Sequence, residues 1–119
     1  KVSVSREMIG DFQVSRAGWI GDDEDPNTFL ATMSPNRGNN KTRWDNYEFD
    51  DLLAKANATL DQEERYKILM EAERLLIDEM PIAPIYTYVR VYQLHEDVKG
   101  WHPNILSHHH PKYIRIERD

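Results

Sequence analysis

The spacing of apolar residues changes once along this chain, at Pro81, and that change limits the folds open to it. Before it, Tyr66, Leu69, Ala72, Glu73, Leu76 and Met80, all but Glu73 apolar, follow spacings of three and four, the period of one helix face. Phe49, Leu52, Leu53 and Ala56 show the same period, so a second helix buries one face. Asn46 or Asp45 is placed to cap the earlier helix. Asp61 and Glu64 have the spacing of a capping box at the start of the later one, and Pro81 ends it. Only Thr59, Leu60 and Asp61 separate the two, which predicts an antiparallel pair packed side by side. After Pro81, residues 82–92 are rich in β-branched and aromatic side chains and predict a strand, with Pro84 near its start or at an edge.

Upstream, Val2 and Val4 alternate with serines, a short strand pattern. Phe12, Val14 and Arg16 alternate with Gln13, Ser15 and Ala17 in a longer one. Gly18-Trp19-Ile20-Gly21 closes it, glycines that predict a bend or a close backbone approach. Asp25 is expected to cap a short helix running from Pro26 through Met33. Residues 34–43 hold turn formers and no periodic apolar residue, and read as a loop. Tyr113, Ile114 and Ile116 read as a terminal strand. The fold class is α+β: a small sheet, one short helix and two antiparallel helices.

The charge balance is acidic, 15 Lys and Arg against 21 Asp and Glu, which argues against a surface for nucleic acid. The absence of cysteine removes disulfides, thiolate catalysis and Cys-ligated metals together. No stretch approaches the roughly 18 apolar residues of a membrane span. Residues 1–6 lack the apolar core of a signal peptide, so if the parent protein is exported its signal lies outside this chain.

Few residues suggest chemistry. Adjacent histidines rarely converge on one ion, so His108-His109-His110 reads as a solvated loop. The run from Asp22 to Asp25 lacks the alternation of a calcium loop, and helix-start stabilisation accounts for Asp25. Asp22 differs. It follows a glycine bend and an indole, a setting that suits a ligand ammonium paired with the carboxylate and an apolar part covered by Trp19. No serine lies in a nucleophile motif and no glycine-rich phosphate loop precedes a helix. No catalytic residue, metal site or cofactor is expected.

From Arg16 to Asp22, and on through Asp25-Pro26-Asn27-Thr28-Phe29-Leu30, the sequence closely resembles the periplasmic oligopeptide-binding proteins of bacterial ABC importers, family 5 of the extracellular solute-binding proteins. Asn39-Asn40, the helix with Phe49 to Leu53, the helix from Glu64 to Arg74 and the segment from Pro84 to Val89 follow in the family's order. The resemblance implies that Asp22 pairs with a peptide's N-terminal ammonium. It also implies that Gly18, Trp19 and Ile20 run beside the peptide backbone, that Arg16 meets the carboxylate end of a short peptide, and that Asn39 and Tyr88 line the cavity. Relatives vary at Ile20-Gly21 and Asp23-Glu24-Asp25, where the accepted peptide lengths and charges stay open.

The resemblance further implies a C-terminal portion of a two-lobed, exported, non-enzymatic protein. Residues 1–89 would end one lobe and residues 90–119 would return toward the other. The implied partners are a peptide, an ABC permease in the membrane and the missing N-terminal portion, with self-association of the isolated fragment as a further possibility. Two alternatives stay open. One is another solute of the same family, such as a dipeptide, nickel complex, haem or sugar. The other is a helical interaction module, which requires an exposed Tyr66, Leu69 and Leu76 stripe.

Overall fold

The computed structural model describes residues 2–35 and 39–118, with side chains from residue 4 onward. The chain divides into two compact units, Lys1–Pro84 and Ile85–Asp119. Among the described residues no helix is long and apolar enough to cross a membrane.

The first unit is built on the helix pair that the sequence predicts. Helix α3, Tyr47–Ala58, begins where the Asn46 side chain accepts the Phe49 N–H at 3.1 Å. Helix α4, Gln62–Glu79, begins where Asp61 accepts the Glu64 N–H at 2.8 Å. It ends at Met80, whose left-handed backbone (φ 52) closes the last turn ahead of Pro81. Short helix α2, Asn27–Leu30, continues as a 3-10 turn over Ala31–Met33. Leu30 and Met33 join Phe49, Leu53, Ala56, Ile68, Leu69, Ala72 and Leu76 in one buried core. Glu79 fastens the end of α4 to the start of α3, accepting from Trp44 Nε1 at 2.6 Å and Asn46 Nδ2 at 2.7 Å. Leu69 and Leu76 are 2% and 4% exposed. That removes the docking stripe the interaction-module reading requires.

The segments expected as strands are different. Residues 2–5 belong to helix α1, Val2–Ile9. Gly10, with φ 75, donates to the Glu7 carbonyl, and Asp11 N–H donates to the Arg6 carbonyl, the paired bonds of a glycine-stopped helix. Four residues of alternation were outweighed by that stop signal. Residues 12–17 and 82–92 carry no strand. A strand needs a ladder partner, which side-chain preference alone does not supply. The middle of the predicted loop, residues 36–38, lies outside the described residues.

In the second unit, β1 (Val98–Lys99) pairs antiparallel with β2 (Arg115–Ile116), Val98 opposite Ile116. Tyr113, expected in the strand, instead closes a 3-10 turn, Pro111–Tyr113. Gly100 sits at φ 79, and a Cβ there would lie 1.8 Å from the Tyr113 carbonyl oxygen, so only glycine fits. His109 stacks on Trp101 at 3.6 Å, while His110 turns its ring toward Tyr113, so these two adjacent rings have different aromatic neighbours.

Candidate functional site

The first unit carries an open cleft of about 450 Å³ where the loop ahead of α2 meets α4. Trp19, Asp22, Asp23, Asp25, Asn27, Thr28, Asn39 and Arg65 are among its lining residues. Local geometry explains why these side chains gather. Gly21 makes the close approach expected of it: a Cβ would stand 3.1 Å from the Asp23 carbonyl oxygen and from the Phe29 and Thr28 side chains. The Asp22 backbone N–H donates to Thr28 Oγ1 at 3.0 Å, folding the loop onto the first turn of α2.

Asp25 anchors the arrangement. Its Oδ1 accepts the Asn27 N–H at 2.8 Å, a bond to the first residue of α2, although Pro26 and not Asp25 stands at the cap position because the helix begins one residue later than expected. Its carboxylate also takes both terminal nitrogens of Arg65, at 2.6 and 2.8 Å. The Arg65 hydrogen bond holds the Asp25 carboxyl below the ordinary carboxylate range, against a smaller opposing effect of burial. The same bond raises the Arg65 guanidinium, with lesser contributions from Tyr66 and Asp23. Sequence reasoning missed Arg65. Forty residues separate it from Asp25, and no local pattern links them.

Folded Asp25 therefore ionises at lower pH than it does unfolded. Its contribution to stability is complete above the unfolded value near 4 and is lost as pH falls through the depressed folded value. Urea unfolding between pH 7 and about pH 2 should show stability falling less steeply on the acid side in Asp25→Asn than in wild type. Parallel acid limbs would show that the pair has no such linkage.

Trp19, Asp22 and Asn39, three of the residues singled out in the sequence, meet at this cleft. The Asp22 carboxylate has no hydrogen bond or ion pair among the described residues, while Asp25 is fully engaged. Asn40 sets the adjoining loop, its amide donating to the Met33 and Trp44 carbonyls, both at 2.7 Å. Gly18, Ile20 and Arg16 lie on the exposed approach and do not line the cleft. Tyr88 belongs to the second unit, where its ring meets Tyr86 edge-on at 4.9 Å.

No family model matches the chain. Individual relatives do. The oligopeptide-binding protein OppA of Bacillus subtilis is 44% identical over 91 residues, 76% of this chain. The periplasmic murein peptide-binding protein MppA of Escherichia coli is 31% identical over 117 residues, 96% of this chain. The unliganded open form of an MppA murein tripeptide-binding protein superposes on 97% of the chain with a TM-score of 0.78 at 29% identity. The chain belongs to family 5 of the extracellular solute-binding proteins. It spans only 17% of the length of the B. subtilis relative and 22% of the E. coli one. The relatives of this family-5 chain are named as binding proteins, not enzymes, and several of them as periplasmic. The α+β fold, with its helix pair and small antiparallel sheet, is the one the resemblance implied.

Proposed function

We propose that this chain is the C-terminal part of an extracytoplasmic peptide-binding protein that carries peptides to an ABC permease and has no catalytic role. The peptide's ammonium pairs with Asp22, Trp19 covers its first apolar atoms, and Asn39 contributes a polar contact from the cleft lining. Gly18 and Ile20 run beside the peptide backbone, and Arg16 meets the carboxylate end of a short peptide. Such binding grips main chain and termini and leaves side chains in wet space, which gives broad sequence tolerance. Residues 1–89 complete one lobe and residues 90–119 return toward the other.

A single observation carries this reading. A chain 44% identical to an oligopeptide-binding protein exposes, in a cleft beside an indole, an aspartate with no partner among the described residues. Calorimetric titration of the full-length protein with tri-alanine should give a Kd in the micromolar range or tighter. Absence of heat with peptides, together with saturable binding of a nickel complex, haem or a sugar, would assign the site to another solute.

A further inference from the structure

Among the described residues, the cleft holds more negative charge than one peptide ammonium can balance. Asp22, Asp23 and Asp25 line it together with one cation among the described residues, Arg65. Asp25 engages both terminal nitrogens of that guanidinium, so most of its charge is spent on Asp25 and Asp23 feels it only at a distance. Two carboxylates remain. Asp23 Oδ1 accepts the Asp25 N–H at 3.1 Å, a contact that orients the carboxylate without neutralising it. A monocationic ligand end would satisfy Asp22 and leave Asp23 facing a partly dehydrated cleft, an arrangement that costs free energy once a ligand excludes water.

Resting on the peptide reading above, we propose that the ligand end held beside Asp22 carries two positive charges. The site then prefers peptides whose first or second residue is Lys or Arg, and Asp23 sets that preference. The α-ammonium takes Asp22, and the flexible side chain brings its cation to Asp23 while its methylenes run along Trp19. Opposite charges a few ångströms apart in a half-shielded cleft give about a tenfold preference, weakened by salt.

The test is calorimetry on the full-length protein with Lys-Ala-Ala, Ala-Ala-Ala and Glu-Ala-Ala at low salt. Lys-Ala-Ala should bind about tenfold more tightly than Ala-Ala-Ala, and Glu-Ala-Ala more weakly than either. Asp23→Asn keeps an oxygen that can accept the Asp25 N–H but removes the charge, and should bring the Lys-to-Ala ratio within about twofold. Glu24 is exposed and does not line the cleft, so Glu24→Gln should leave the ratio in place. Equal binding of Lys-Ala-Ala and Ala-Ala-Ala by wild type would overturn the inference while leaving the peptide reading intact. An unchanged ratio in Asp23→Asn, or one abolished equally by Glu24→Gln, would also overturn it. Failure of all three peptides to bind would overturn the peptide reading and this inference together.

Discussion

Phe49→Ala should lower the stability of the first unit by about 3–5 kcal/mol, measured by urea unfolding followed by helix circular dichroism. Phe49 is 1% exposed and is the largest fully buried side chain among the described residues. It stands in the first turn of α3, where its N–H is held by Asn46 and its ring meets Trp44 edge-on at 4.9 Å. Trp44 is in turn fastened to Glu79 at the far end of α4. The walls of the resulting cavity are therefore tied across the open end of the hairpin and collapse poorly, which puts the cost toward the upper part of that range. Leu60→Ala serves as the contrast. Leu60 is fully exposed between the helices, and its removal should change stability by less than about 0.5 kcal/mol. A loss below about 1 kcal/mol at Phe49 would show that this core is loosely packed.

The helix pair was legible in the sequence because each of its signals is local. Asn46 and Asp61 reach backbone donors three residues ahead, and the apolar period repeats within each helix. The stripe was read slightly out of phase. Ile68 is buried in place of Tyr66, because the face turned toward α3 is fixed by packing and not by periodicity alone. Residues 82–92 have the composition of a strand, but strand formation depends on a partner elsewhere. Ile85, Val89 and Val91 stay largely exposed within this chain. The candidate site divides in the same way. Gly21, Asp22 and Trp19 announced a bend, a carboxylate and an indole within four residues, whereas Arg65 reaches the cleft only through the docking of α2 on α4.

Asp22→Ala should weaken peptide binding by the full-length protein by about 2–5 kcal/mol, because it removes one partner of an ion pair that the closed site desolvates. The cleft is open in the first unit alone, and there the charge of Asp22 is shared with water. A covering lobe would remove that water and strengthen the attraction to the ammonium. The loss should therefore be large for peptides with a free N-terminus. N-acetylated peptides, which offer no cation at that end, should bind weakly to wild type and lose little more on substitution. The backbone bond from Asp22 to Thr28 and the Asp25–Arg65 pair do not involve the deleted carboxylate. Folding should accordingly be unaffected, with the variant's thermal midpoint within about 2 °C of wild type. Equal affinity of wild type and Asp22→Ala for a free-amine peptide, measured calorimetrically, would remove Asp22 from the ammonium site. The charge would then have to be met by Asp23, the remaining cleft carboxylate not paired with Arg65.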